Sequence, residues 1–199
     1  MKSLAGTTVI YDSETASGLI LRGYKTDSGA PVATADVYAI GAKIVGTVDG
    51  ITWVNCGTVA TPVWESEIIT ISVPMTAAQI ISNYTTSQLA IPAFPGKAII
   101  LDNAVFDLTG TATQFTGGGV VNLQYDSTAN GAGTTLHADI AATVVNNATG
   151  RVITNRIPKD LSAIATASIT SLPVYIGTKT AVFAAGTGTA VWKIKYHLV

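Results

Sequence analysis

The two histidines of the chain, His137 and His197, are the side chains best suited to proton transfer near neutral pH. His137 follows Leu136 inside a predicted strand, whereas His197 lies on the polar side of the last predicted strand. No Gly-x-Ser-x-Gly sequence marks a nucleophile that either histidine would activate. A triad assembled from distant segments stays open, but a core or surface role is the stronger interpretation of His137. We therefore predict that the chain is not an enzyme.

Cys56 is the single cysteine, so an intrachain disulfide is excluded. The surrounding sequence Val54-Asn55-Cys56-Gly57 offers no base, which predicts a buried and inert thiol. The chain has no pair of cysteines, no His-x-x-x-His sequence and no Asp-x-Asp spacing, so neither a zinc site nor a calcium loop is predicted. We expect no metal and no cofactor.

The glutamates, Glu14, Glu65 and Glu67, all lie in the first third of the chain. Paired carboxylates for glycoside cleavage come from any part of a fold, so spacing alone leaves such a pair open. Most strands are predicted in the later two-thirds of the chain, and the glutamates lie outside them. This distribution argues against a glycosidase.

The composition predicts a surface that is polar but carries little charge. Charged residues make up 12% of the chain, about half the usual share, and the net charge is -1. No run of Lys or Arg forms the phosphate-neutralising patch of a nucleic-acid-binding protein, so no nucleic acid partner is predicted. Such a surface suits a protein that is packed against partners, and a soluble protein with a Thr-rich surface is the alternative.

The sequence predicts neither a membrane segment nor a signal peptide. The apolar runs are short and broken by Pro, Gly or Thr, so we expect no membrane partner. The first residues, Met1 to Thr7, lack an apolar signal core. Together with the single cysteine, this predicts assembly in a reducing cytoplasm.

Short stretches of alternating apolar residues, separated by turns rich in Gly, Asn and Thr, predict an all-β chain. The clearest stretch is residues 192–198, where large apolar side chains alternate with two lysines and a histidine, as in a strand with one buried face. The other predicted strands cover residues 69–73, 98–108, 121–125, 135–140, 142–145, 152–155, 172–176 and 181–184.

One short helix is predicted from local sequence. Thr76-Ala77-Ala78-Gln79 matches a capping box, in which the Thr and Gln side chains bond each other's backbone, and the helix should end near Tyr84. A second helix between residues 159 and 167 stays open, because its Ala content favours a helix and its Ser and Thr content does not.

The density of predicted strands changes near residue 66. Residues 67–199 are predicted to form an antiparallel, jelly-roll-like β-sandwich, because about eight strands fall in about 130 residues. Residues 1–66 are predicted to form a small N-terminal β module or arm. Its first 25 or so residues lack dense periodicity, so we expect them to become ordered on binding a partner.

Four segments of the N-terminal module and three of the sandwich carry a resemblance to a known family. In the module they are Gly29-Ala30-Pro31, Tyr38-Ala39-Ile40-Gly41-Ala42-Lys43, Trp53-Val54-Asn55-Cys56-Gly57-Thr58 and Thr61-Pro62-Val63-Trp64. In the sandwich they are Val73-Pro74-Met75-Thr76-Ala77-Ala78-Gln79-Ile80, Ile91-Pro92-Ala93-Phe94-Pro95-Gly96-Lys97 and Ala190-Val191-Trp192-Lys193-Ile194-Lys195-Tyr196.

The chain thereby resembles the head decoration and minor capsid proteins of tailed bacteriophages, which carry a jelly-roll domain. One departure is Cys56, which stands where a Thr or Ser is commoner in the module. The resemblance implies a structural virion protein on the capsid exterior, assembled in the host bacterial cytoplasm. It also implies binding to the major capsid protein and to further copies of the chain, as a homotrimer.

From these observations we predict a capsid decoration protein that binds the head lattice and stabilises it. The alternative is a head fibre or a receptor- or carbohydrate-binding jelly roll, which the aromatic residues and the Thr- and Asn-rich surface favour. Trp53 and Trp64 flank a predicted turn and are expected to be exposed anchors. The candidate interface residues are Tyr24, Pro31, Tyr38, Trp53 and Trp64.

Overall fold

The structure is a computed structural model. It describes residues 2–3, 9–126, 128–146, 148–160 and 165–199, and for residues 2–3, 9–12 and 14 it describes the backbone alone. Strands account for 45% of the residues and helices for 9%, which confirms the all-β prediction. The chain divides into two compact units, the first formed by residues 1–69 and 197–199 and the second by residues 70–196.

The first unit contains one six-stranded sheet, whose strands follow each other in chain order. All neighbouring strands described by their registers run antiparallel except the third and fourth, which are parallel. The strands are β1 (Lys2–Ser3), β2 (Val9–Glu14), β3 (Ile20–Lys25), β4 (Tyr38–Gly46), β5 (Thr52–Asn55) and β6 (Trp64–Ser66).

The irregular pairing of β2 with β3 explains why alternation of apolar residues in the sequence did not predict these strands. The register between β2 and β3 shifts twice, once on each side of the pair formed by Ser13 and Arg22. Each shift interrupts the regular pairing of the two strands, so a strict period of two along the sequence is not expected. Residues 9–25, expected to become ordered only on binding, thus form two paired strands. Residues 4–8 of the expected arm lie outside the described residues.

A wide bulge separates two parts of the parallel pair. Ile20 pairs with Tyr38, and the next pair is Arg22 with Lys43, so β4 advances by more residues than β3 between them. Gly41 lies in this bulge with a φ of 75°, a left-handed conformation that glycine adopts without a steric penalty.

The second unit continues the chain through nine strands and two short α-helices. Single 3₁₀ turns lie at Ala129–Gly131 and Thr166–Ser168. The elements are β7 (Ile69–Met75), α1 (Ala77–Ser82), β8 (Gln88–Ile91), β9 (Ile99–Thr109), β10 (Thr116–Gly117), β11 (Val121–Tyr125), α2 (Ala142–Asn146), β12 (Arg151–Arg156), β13 (Val174–Thr178), β14 (Phe183–Ala184) and β15 (Thr189–Leu198).

The strand order is that of a jelly roll. One sheet has the order β12-β9-β15-β7 and another the order β11-β13-β8. Residues 134–140 extend the second sheet, because isolated bridges join Thr135 to Gln124 and Ile140 to Val121 of β11. With this segment counted, the eight strands of the two sheets are, in chain order, β7, β8, β9, β11, residues 134–140, β12, β13 and β15. In this order the first strand pairs with the eighth, the second with the seventh, the third with the sixth and the fourth with the fifth. That pattern is one long hairpin wrapped into two sheets, and it confirms the predicted jelly-roll-like sandwich.

The core of the second unit lies between its two sheets. The large apolar residues of β15 are buried as predicted, and the rings of Trp192 and Phe106 lie 5.0 Å apart between centroids. The hydroxyl of Tyr125 crosses from the other sheet and donates to the carbonyl oxygen of Ile99 at 2.5 Å. Burial raises the pKa of Tyr125 to about 12, so the phenol stays a donor at physiological pH.

The helix α1 begins with the predicted capping box. The backbone N–H of Gln79 donates to the Thr76 hydroxyl at 3.3 Å, and the Thr76 N–H donates to the Gln79 side chain at 2.8 Å. The helix ends at Ser82, and the C-cap residue Asn83 donates from its buried amide to the Thr178 hydroxyl at 3.2 Å. The prediction of this helix is therefore confirmed, and its end is tied to β13.

One local prediction was wrong, and a second was only partly confirmed. Residues 142–145 were expected to form a strand and instead form α2, because a short apolar run has no periodicity that separates helix from strand. Residues 135–140 make bridges rather than a continuous strand. Of the second helix left open between residues 159 and 167, residues 161–164 lie outside the described residues.

Candidate interaction surface

His137 is a structural residue of the second unit. Its side chain is 0% exposed, and its Nε2 accepts a hydrogen bond from the backbone N–H of Leu123 at 3.1 Å. Its Nδ1 donates to the carbonyl oxygen of Ala138 at 2.7 Å. Burial lowers the pKa of His137, which keeps the ring neutral and able to accept at Nε2. The ring thus takes the place that a backbone carbonyl would have as acceptor for the Leu123 N–H of β11, and it does not face solvent.

Cys56 is exposed, so the prediction of a buried thiol was wrong. The residue continues the alternation of β5, in which Trp53 and Asn55 are buried and the positions between them face outward. Partial burial raises the pKa of Cys56, and the carboxylate of Glu65 raises it further by repelling the thiolate and accepting a hydrogen bond from the thiol. The protonated thiol is a weak nucleophile.

The five candidate interface residues do not share a surface. Tyr38, Trp53 and Trp64 are 1%, 0% and 3% exposed, and the rings of Tyr38 and Trp64 form a T-shaped pair with centroids 4.9 Å apart. Pro31 is buried as well, whereas Tyr24 is exposed. The expectation that both tryptophans are exposed anchors was wrong, because they occupy the buried face of their strands. These aromatic residues form the core of the first unit.

The motif of residues 53–58 holds a loop in place. Asn55 is buried, and its amide donates to the carbonyl oxygen of Ala39 at 3.1 Å. Its Oδ1 accepts from the backbone N–H groups of Gly57 at 3.0 Å and Val63 at 3.1 Å. A Cβ on Gly57 would lie 2.3 Å from a backbone carbonyl oxygen, so only glycine fits there. The motif therefore has a structural explanation within this chain.

The other side of the same sheet is open and carries side chains in two rows. In the first row Arg22 pairs with Lys43, Lys43 with Val54, and Val54 with Glu65. These four residues are exposed or half-buried. Because paired residues on adjacent strands share a face, the row runs from two cations on β3 and β4, across an apolar residue on β5, to a carboxylate on β6.

The second row runs beside the first. Tyr24 pairs with Val45, and Val45 with Thr52. Glu67 follows, because its backbone N–H donates to the Thr52 carbonyl oxygen at 2.8 Å. An exposed ion pair between Lys43 and Glu67 joins the two rows. We call the eight residues of both rows the open face.

Two shallow depressions adjoin on this side of the first unit. One, of about 300 Å³, is lined by residues of the open face, among them Tyr24 and Thr52. The other, of about 640 Å³, is lined by Cys56, Ile68 and His197, among others. Glu67 lines both. The open face therefore continues past β6 into a more apolar area.

Exposed apolar side chains are concentrated in the first unit. Among the described side chains, eleven large hydrophobic residues are exposed, and seven of them belong to this unit although it is the smaller one. Ile40 is 65% exposed and Val63 52% exposed. The seven are Leu21, Tyr24, Val32, Ile40, Val48, Val63 and Ile68. Exposed large apolar side chains are therefore more frequent in the first unit than in the second.

Three charged residues of the second unit form an ion-pair cluster. The guanidinium of Arg151 donates to both carboxylate oxygens of Asp107, at 2.9 and 2.8 Å, and Lys193 lies 3.4 Å from the same carboxylate. The hydrogen bonds from Arg151, helped by Lys193, lower the pKa of Asp107 to about 2. The cluster joins two cations to one carboxylate across three neighbouring strands, β12, β9 and β15.

No protein-family model matches the chain, and neither a curated protein nor a solved structure matches it. Among the described residues, no group of three or more His, Cys, Asp or Glu side chains is placed to hold a metal ion. In the same part of the chain, none of the helices has the length and apolar character needed to span a membrane.

Of the residues of the open face, only Tyr24 was among the predicted interface residues. Arg22 and Lys43 become neighbours through the parallel pairing of β3 and β4, and the bulge between them hides that register from the sequence. A weaker signal was present, because Lys43 and Val45 alternate with the buried Ala42 and Ile44. Such alternation marks an outward side but does not reveal which strand lies beside it.

Proposed function

We propose that the chain is a non-enzymatic structural protein of a tailed-phage virion, which decorates the head by binding the major capsid protein. The observation that carries the proposal is the concentration of exposed large apolar side chains in the first unit. On this account the first unit makes the contact with the lattice and the second projects from it.

The energy of such contacts supports a lattice-binding role. Full burial of a Val or Ile side chain is worth roughly 1.5–3 kcal/mol, so residues such as Ile40, Val48 and Val63 supply a modest affinity at each site. Contacts repeated over a shell gain strength because linked binding events raise the effective concentration. A decoration protein therefore needs no deep pocket.

The jelly roll of the second unit is compatible with this role by analogy of fold. The same architecture occurs in viral capsid proteins and in lectins, so the fold alone does not choose between them. The carbohydrate-binding alternative was motivated by Trp53 and Trp64, whose rings are buried and offer no stacking surface. The exposed apolar residues of the first unit favour the protein lattice.

The test is binding to empty heads of the phage that encodes the chain, measured by co-sedimentation. The double variant Ile40→Ser and Val63→Ser should bind at least about tenfold more weakly, which corresponds to about 1.4 kcal/mol. The matched control is Ile153→Ser with Ile157→Ser, two exposed residues of the second unit, which should bind like the unaltered chain. Equal binding of both variants would contradict the proposal, as would failure of the unaltered chain to bind heads.

A further inference from the structure

We propose that the open face of the first unit pairs with the open face of a second copy of this chain, in a twofold arrangement in which Arg22 meets Glu65 of the second copy. The proposal concerns association in solution and does not rest on binding to a capsid.

The order of charges along the first row is the starting point. Arg22 and Lys43 lie on β3 and β4, Val54 on β5 and Glu65 on β6. The row therefore runs from positive to negative across four adjacent strands. Strands in a sheet lie about 4.8 Å apart, so the two ends are about 14 Å from each other.

A twofold axis that lies between two such faces, parallel to the strands and between β4 and β5, reverses this order. It places Arg22 of each copy over Glu65 of the other copy. It also places Val54 of each copy over Lys43 of the other copy. In the second row, Val45 then lies over Thr52. Because the contact is isologous, each favourable pair occurs twice.

The middle of the face is suited to close packing. Val45, Thr52 and Val54 are half-buried within one chain and carry no charge. Lys43 is neutralised locally by its ion pair with Glu67. Facing sheets pack about 10 Å apart with their strands within about 30° of each other, and the short side chains in the middle allow this approach.

A second copy fits the face better than an added strand at its edge. The edge strand β6 covers only Trp64–Ser66, and so short an edge offers few backbone groups for pairing. The face itself carries the charge order that complements it when reversed. Four strands of short exposed rows bury less than the roughly 800 Å² per partner of a standard interface, so the dimer should be weak and reversible.

The test is sedimentation equilibrium of the full chain alone, over protein concentrations up to about 1 mM. We expect a monomer–dimer equilibrium, weakened at least about tenfold by Arg22→Glu and by Glu65→Arg, because each change sets like charges against each other twice. Mixing the two variants in equal amounts should restore the dimer, since both contacts then join opposite charges. The control Lys195→Glu, on an exposed residue of the second unit, should leave the equilibrium unchanged.

Three results would overturn the proposal. They are a monomer at every concentration, a trimer or dimer whose mass is unaffected by either substitution, and a mixture of the two variants that stays as weak as each alone. Thermal unfolding of each variant checks that the fold is retained. No heads are present in this experiment, so its failure leaves the proposed lattice binding untouched.

Discussion

The two units use β-sheets in different ways. The second unit closes two sheets on each other, so that the inner side of each is covered by the other and residues such as Trp192 and Leu123 are 0% exposed. The first unit has a single six-stranded sheet, with aromatic residues on one side and the open face on the other. A closed sandwich covers its own apolar surface, whereas a single sheet leaves one side facing solvent.

The two units share one feature: where backbone pairing between strands stops, a buried polar side chain bonds the backbone groups. In the second unit the ring of His137 accepts the hydrogen bond of the Leu123 backbone N–H in β11. In the first unit the amide of Asn55 bonds three backbone groups around the loop between β5 and β6. Buried backbone groups need partners, and here a buried polar side chain supplies them.

The largest effect is expected from Trp192→Ala in the second unit. Removal of this ring, which packs on Phe106, should lower the free energy of unfolding by about 3–5 kcal/mol, because a large cavity remains. Denaturant unfolding followed by circular dichroism measures the loss. In this variant the remaining tryptophans, Trp53 and Trp64, report the first unit by fluorescence.

The same variant tests the comparison between the units. If they differ in stability as in architecture, the circular dichroism transition of Trp192→Ala should precede the fluorescence transition, because two-state unfolding requires that different probes coincide. Coincident transitions would mean that the units unfold together. Trp192→Phe, which keeps an aromatic ring in the core, should show a smaller loss and serves as the control.

An intermediate effect is expected from Asn55→Ala in the first unit. The substitution leaves the Ala39 carbonyl and the N–H groups of Gly57 and Val63 without their partner, which should cost about 1–3 kcal/mol. Asn55→Asp keeps the acceptor for the two N–H groups and should recover part of the loss. Urea unfolding followed by tryptophan fluorescence measures both, and an unchanged midpoint for Asn55→Ala would contradict the assigned role.

The smallest effect is a pH dependence that arises from His137. Burial lowers the pKa of His137 in the folded chain, while the unfolded chain has the ordinary histidine pKa of about 6.5. The unfolded state therefore binds more protons as the pH falls below about 6.5, and stability present above that pH is progressively lost. Urea midpoints between about pH 8 and pH 5.5 should fall for the unaltered chain and fall less for His137→Gln. Equal slopes would show that His137 is not the group responsible.

Much of the second unit could be predicted from sequence because its signals are local. The alternation of residues 192–198 predicted one side of β15, and the Thr76 and Gln79 pair predicted the start of α1. The strand predicted at residues 121–125 has the same bounds as β11, and the strand predicted at residues 152–155 lies within β12. In β15 one face is buried and the other is not, so the period of two is visible along the chain.

The first unit resisted prediction because its decisive contacts are not local. Whether Trp53 faces the core or solvent depends on what covers each side of β5, and neighbouring residues do not carry that information. The open face depends on a parallel pairing with a bulge between Ile20 and Arg22. Asn55 lies within a sequence motif, but its role follows only from the three backbone groups that it bonds.

The place of β15 has a consequence for synthesis on the ribosome. This strand, the eighth of the jelly roll, lies between β9 and β7 rather than at an edge of its sheet. The earlier strands emerge with their apolar sides uncovered and the middle of that sheet unfilled. The sandwich is completed only after Thr189–Leu198 leaves the exit tunnel, so the nascent chain must stay free of aggregation until then.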